Sequence, residues 1–309
     1  MTADGTTALG GTTALDGTRR RLGSFGVWLM PVTLHATPVA VQREQFARIE
    51  RLGYGSLWSG EPPADSPGVG REAFTQHGLM LAATERLVVG TGIANVGMRH
   101  PAAMHGAAAT LAEAYPGRFV LGLGGQRGDR PLTALREYLD AMDETARTVL
   151  PDVRYPRVLA ALGPKAHALA AERADGVHPF MQPVRHTAIA REAAGPDALL
   201  IPHQFLLVET GADAARGAFR AVFGGRGRTR GGPYERNYRR LGYGDEDLGG
   251  ERSDRFVDDV LAWGDEAAVA ARLRAHLDAG ADHVLLNPLA ADLPSAVDVL
   301  ERLAPLLTA

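Results

Sequence analysis

The sequence predicts a (β/α)8 TIM barrel, and three observations carry the prediction. From Phe25 onward, short aliphatic or β-branched runs alternate with longer stretches of helical period, eight times in all. The short runs are apolar nearly throughout rather than at every second position, as parallel strands covered on both faces are. No glycine-rich phosphate fingerprint follows the first of them, FGVWLMPVTLHATP, and this separates the chain from doubly wound open sheets that share the alternation. Eight strand-helix units close into a barrel.

In order, FGVWLM (25–30) reads as the first strand and PVAVQREQFARIERLG (38–53) as an amphipathic helix closed by Gly53. SLWSG (56–60) precedes a helix over 71–84. RLVVGTGIAN (86–95) precedes PAAMHGAAATLAEAY (101–115), with Pro101 at the first helical position, where a missing N–H does no harm. FVLGLG (119–124) leads to a helix over 131–150, RVLAAL (157–162) to PKAHALAAERA (164–174), and DGVHPF (175–180) to PVRHTAIAREAAG (183–195). HQFLLVET (203–210) leads to GADAARGAFRAVF (211–223), and HVLLNPL (283–289) to LPSAVDVLERLAPLL (293–307). Residues 24–309 thus read as a single barrel domain, with a helical insertion over about 223–264 and a helix DEAAVAARLRAHLDAG before the last strand. Residues 1–23, where GTTALG nearly repeats and Arg19, Arg20 and Arg21 follow, read as a low-complexity, mobile tail.

Composition narrows the function classes. The 309 residues carry a formal net charge of −3, so no global basic field exists to hold nucleic acid or an anionic membrane. Cysteine is absent, which removes disulfides, thiolate metal sites and cysteine nucleophiles and fits a reducing cytoplasm. No apolar run approaches the roughly 18 to 20 residues needed to span a bilayer, and the N-terminus has no signal-peptide core. The expected partner is a small-molecule substrate. The alanine- and glycine-rich helix PAAMHGAAATLAEA would permit close packing between two copies, so a homodimer is expected.

In such barrels the active site lies on loops at the C-terminal ends of the strands. Glu61 follows the second strand in WSGE, Arg99 and His100 follow the third, and His178 stands at the end of the sixth. A carboxylate, a cation and two imidazoles around one mouth could supply acid/base chemistry near neutral pH, or could merely cap loops and form ion pairs. At LGPK (162–165), Gly163 allows close backbone approach, Pro164 opens a helix, and Lys165 adds charge to its free N–H groups. That turn is either an anion site or a generic tight connection. No His/Asp/Glu spacing marks a metal site. The stretch 224–240 holds six arginines in the span 226–240, which make it a solvated insertion loop or an anion clamp over the mouth.

Taken together, LWSGE, REAFTQHGLMLAAT, LVVGTGIAN, RHPAAMHGAAATLAEAYPGRFVLGLG, LGPKAHALAAERADGVHPF and NYRRLGYGDEDL resemble the bacterial luciferase-like flavin superfamily. More narrowly they resemble its actinobacterial branch of oxidoreductases that use coenzyme F-420 (F420), a deazaflavin. The resemblance covers about residues 24–305. It implies a deazaflavin in the barrel mouth, with its phosphate at Gly163, Pro164 and Lys165 and its ring over Thr91, Gly92, Ile93 and Asn95, where Gly92–Ile93 would be a non-prolyl cis peptide. It further implies hydride transfer to or from a small organic substrate, with Glu61, His100 and His178 as polar groups facing the reactive carbon. Many members carry Asp-His where this chain has Gly60-Glu61, and a longer loop where Gln126–Arg130 joins strand to helix directly. Two other readings stay open: a two-component monooxygenase using reduced FMN, and a barrel that binds a ligand without chemistry.

Overall fold

The structure, a computed structural model, describes residues 8–61, 70–126, 128–223 and 231–308. The chain opens with α1 (Ala8–Leu22), β1 (Phe25–Leu29), α2 (Pro31–Ala36), α3 (Val39–Arg51), β2 (Ser56–Ser59) and α4 (Ala73–Ala82). Next come β3 (Val88–Thr91), β4 (Ala94–Asn95), α5 (Pro101–Ala114), β5 (Phe119–Gly124) and α6 (Pro131–Ala146). They are followed by β6 (Arg157–Leu159), α7 (Pro164–Arg173), β7 (Gly176–Val177), α8 (Val184–Ala194), β8 (Leu199–Leu200) and β9 (His203–Val208). The remainder is α9 (Ala212–Phe223), α10 (Pro233–Arg240), α11 (Asp245–Leu248), α12 (Asp254–Val260), β10 (Leu261–Gly264), α13 (Glu266–Asp278), β11 (Val284–Pro288) and α14 (Leu293–Leu307). Side-chain caps fix several helix starts: Asp265 accepts from Ala268 N at 2.8 Å and Asp292 from Ser295 N at 2.8 Å.

All strand pairs are parallel, along the path β10-β9-β11-β1-β2-β3-β5-β6-β7-β8, with β4 beside β5. β8 and β9 are two halves of one extended run broken at Pro202, which has no N–H to give a ladder. Ile201 N bonds Val177 O and His203 N bonds Pro179 O on one side, while Leu285 N bonds Pro202 O on the other. The curled sheet thereby closes into the expected barrel. The insertion departs from the expectation of a purely helical excursion, because it ends in β10, which pairs with β9 over 205–208. Its arginine-rich start, 224–230, lies outside the described residues.

The barrel interior explains the glycines of β3 and β5. Trp58 is fully buried, and a Cβ on Gly90 would stand 2.4 Å from its ring. A Cβ on Gly122 would meet Thr91 O at 1.9 Å. Side chains of this size fill the interior only opposite residues that have none. Below Trp58, its Nε1–H donates to Ser56 Oγ at 2.8 Å, and Ser56 Oγ lies 2.6 Å from His283 Nε2. His283 Nδ1 meets Gly23 O at 2.9 Å; a carbonyl only accepts, so the imidazole proton sits on Nδ1 and Ser56 donates to Nε2.

Residues 15–22 correct the expectation of a mobile tail. They belong to α1, which lies across the N-terminal end of the barrel: Leu22 is fully buried with Trp58 and Leu285, and Arg19 pairs with Asp282 at 3.1 Å. No helix among the described residues is long and apolar enough to cross a membrane.

Candidate active site

The mouth is organised by the interruption between β3 and β4. The Gly92–Ile93 peptide is cis. Gly92 N donates to Ser59 O at 2.8 Å, and Gly92 O accepts from Trp28 Nε1 at 3.0 Å. A Cβ on Gly92 would lie 2.6 Å from Trp28 Nε1 and 3.0 Å from His178 Nε2, and one on Gly60 would lie 2.7 Å from Gly92 O. Within 87–96 only Ile93 is part-exposed, so its side chain is what this segment offers to the mouth. Ala160, Phe180, Leu207, Trp263 and Leu289 also stand part-exposed or exposed at C-terminal strand ends, making the rim largely apolar.

Glu61 holds the interruption in place. Its backbone N donates to Ile93 O and its Oε2 accepts from Asn95 N, both at 2.9 Å, so one residue grips the segment at two points. Arg99 Nη1 donates to the same oxygen at 2.8 Å and Nη2 to Oε1, a two-pronged ion pair with side chains only 12% and 3% exposed. Arg99 is secured in turn by Glu72 at 3.1 Å and by the Tyr138 hydroxyl on its carbonyl at 2.9 Å. Both carboxylate oxygens of Glu61 are committed to donors.

Below the interruption lies His178, whose Nδ1 meets Ile201 O at 2.7 Å and must donate there. Its Nε2 is therefore a lone pair, buried without a partner among the described residues. Burial pushes its pKa down to about 4, so the ring is neutral at neutral pH. Phe180 stacks at 3.9 Å on His203, which is also buried and bonded to Asn287 at 2.9 Å.

On the neighbouring strand, β6 ends at Leu159 and α7 begins at Pro164 with Gly163 as its N-cap. Ala166 N and His167 N both turn back to Gly163 O, at 2.9 and 3.0 Å. Among the described residues the Gly163 and Lys165 amides have no acceptor, and the exposed Lys165 side chain has no carboxylate partner. Free amides at a helix start beside an unpaired ammonium are able to receive an anion.

The structure thus gathers Glu61, Thr91, Gly92, Ile93, Asn95 and His178 around one interruption, with Gly163, Pro164 and Lys165 on a nearby strand end. Several roles differ from expectation. Glu61 clamps backbone rather than standing free towards the mouth. His100 is exposed at the start of α5, where its Nδ1 accepts from Ala102 N at 3.2 Å. His178 is a buried acceptor below Gly92. Thr91 is fully buried, and its hydroxyl donates its one proton to Gly122 O and accepts from Gly122 N, both at 2.8 Å, so it braces β3 against β5. Asn95 turns its Oδ1 to Gly97 N at 2.9 Å. Sequence reasoning missed Trp28 as the support of Gly92, and the pairing of Arg99 with Glu61. The two-residue offset between Trp28 and Met30, which turns the indole inward, was the available signal for the first.

Parallel (β/α)8 barrels that gather such groups at the C-terminal strand ends are an enzyme architecture. This chain belongs to the luciferase-like monooxygenase family, whose model matches residues 21–283. A Mycobacterium tuberculosis protein named as a coenzyme F420-dependent oxidoreductase, Rv3520c, is 28% identical over 199 residues, which is 51% of this chain and 56% of the relative. The chain therefore spans about half the length of the curated relative it matches. Among solved structures, an F420-dependent secondary alcohol dehydrogenase in complex with an F420-acetone adduct superposes with a TM-score of 0.68 at 17% identity, over 93% of this chain and 99% of the other. A type II Baeyer-Villiger monooxygenase component from Pseudomonas putida in complex with FMN gives 0.61 at 14%, over 93% and 98%. At these identities the two structures show the fold.

Proposed function

We propose that this enzyme moves a hydride between a deazaflavin, coenzyme F420, and a small organic substrate in the barrel mouth. The observation that carries the reading is the pairing of an apolar rim around Ile93 with an unneutralised helix start at Gly163–Lys165. A flat ring bearing a phosphorylated side chain matches that pair. When bound, the cofactor supplies the redox chemistry. The protein's share is placement: Ile93 supports a ring face, Phe180, Leu207 and Trp263 keep water from it, and the Gly163 and Lys165 amides with the Lys165 ammonium hold the phosphate. Glu61 and Arg99 act as positioning residues, keeping the Ile93 support fixed. The F420-dependent relative favours the deazaflavin.

The FMN-bound neighbour motivates the second reading, a monooxygenase fed with reduced FMN, because the same helix start would take either phosphate. Parallel equilibrium titrations with F420 and FMN separate the two. The expected result is saturable F420 binding at least tenfold tighter than FMN. Tighter FMN binding, with oxygen uptake in the presence of reduced FMN, overturns the deazaflavin reading.

A further inference from the structure

We infer that Arg240, from the insertion, completes the phosphate site at the start of α7, so that the cofactor's phosphate sits between two chain segments far apart in sequence. The inference rests on the cofactor reading above and adds a residue to it. An added Cβ on Gly163 would stand 2.8 Å from Arg240 Nη1 and 3.5 Å from its Cζ, so the guanidinium already lies against the helix N-cap.

The charge balance of that contact calls for an anion. The start of a helix carries partial positive charge, Lys165 adds a full one, and Arg240 adds another. No carboxylate answers them: Arg240 has no hydrogen-bond or ion-pair partner among the described residues. Among the described residues, the other arginines of the insertion are engaged. Arg236 bonds Gly231 O, Arg239 bonds Glu235 and Asp245, Arg252 bonds Leu248 O, and Arg255 bonds Asp247 at 2.7 Å.

Arg240 is carried on a fixed mount rather than a loose loop. Tyr238 is buried, and its hydroxyl donates to Met181 O at 2.6 Å; the buried Asn237 donates to Gln182 Oε1 at 2.8 Å. Both anchors belong to the segment that follows β7, so α10 is pinned to the barrel rim two and three residues before Arg240. A planar guanidinium held there can give two parallel N–H groups to phosphate oxygens beside the free amides at the start of α7.

The test compares Arg240→Gln and Arg240→Lys with the unaltered protein, using four probes: F420, FMN, the deazaflavin ribityl compound without phosphate, and inorganic pyrophosphate. Affinity for the phosphorylated cofactor is expected to fall roughly tenfold or more in Arg240→Gln, as for one charge-assisted hydrogen bond lost, and less in Arg240→Lys. Affinity for the phosphate-free compound should not change. Unaltered F420 and FMN affinity in Arg240→Gln, or an equal loss for the phosphate-free compound, overturns the inference while leaving the cofactor reading intact. If the unaltered protein binds neither cofactor, the cofactor reading fails and pyrophosphate decides. A rise in melting temperature with pyrophosphate that disappears in Arg240→Gln supports the anion site; no rise in the unaltered protein overturns it.

Discussion

Glu61 shows how much a residue's setting changes its meaning. Its place after a strand makes it a candidate acid or base, whereas in the fold both its oxygens are bound by Arg99 and Asn95 N. Nothing local in WSGE announces a partner 38 residues away, because the pair exists only once β2 and the segment after β4 lie side by side. Removing one member of a buried pair leaves the other charge without compensation, and Glu61→Gln should lower stability by about 3 kcal/mol. Chemical denaturation measures this. Turnover should fall as well, to a similar extent in Arg99→Met, with no change in the shape of the pH-rate profile. Loss of one limb of that profile in Glu61→Gln alone would restore Glu61 as a proton-transfer group.

At the scale of elements, the apolar runs and helical periods marked the eight barrel strands, since burial on both faces leaves a strong signal in composition, although the run at 203–210 holds only the second half of the seventh, which begins at β8. The departures are elements whose cause is tertiary. β10 has the sequence LAWG, too short to stand out, and is a strand because β9 offers it an edge. α1 is glycine- and threonine-rich and reads as a tail, yet Leu22 is buried against the lower barrel and Arg19 reaches Asp282. Propensity gave no warning, because this helix is held by packing. Leu22→Ala should therefore cost about 2 to 4 kcal/mol, measured as a shift in the denaturant midpoint without a change in slope. A change under about 0.5 kcal/mol would show that α1 does not close the barrel floor.

Across the whole molecule, histidine burial couples stability to pH. Of the ten histidines, His77, His105, His167, His178, His186, His203, His276 and His283 are buried. Burial lowers the pKa of His167, His178 and His283 to about 4 and that of His276 to about 3, and it lowers His77, His186 and His203 as well. In the unfolded chain imidazoles take up protons below about pH 6.5. Between that value and about 4 the unfolded state holds more protons, so folding stability is complete above pH 6.5 and is lost as pH falls. Each such group contributes at most about 1.4 kcal/mol per pH unit, and several titrate together. Melting temperature should be level from pH 7 to 8 and drop steeply between about 6 and 4; a level profile down to 4.5 would contradict the assignment of neutral buried imidazoles.

At the same scale, the proposed function requires a ring support at Ile93 and an anion site at Gly163 and Lys165 to serve one ligand. An experimental structure of the protein with F420 bound tests it most directly. The ring is expected in the mouth with one face on Ile93, and the phosphate at the start of α7 within hydrogen-bond distance of the Lys165 amide. A ring bound away from Ile93, or a phosphate held by another strand end, would contradict it.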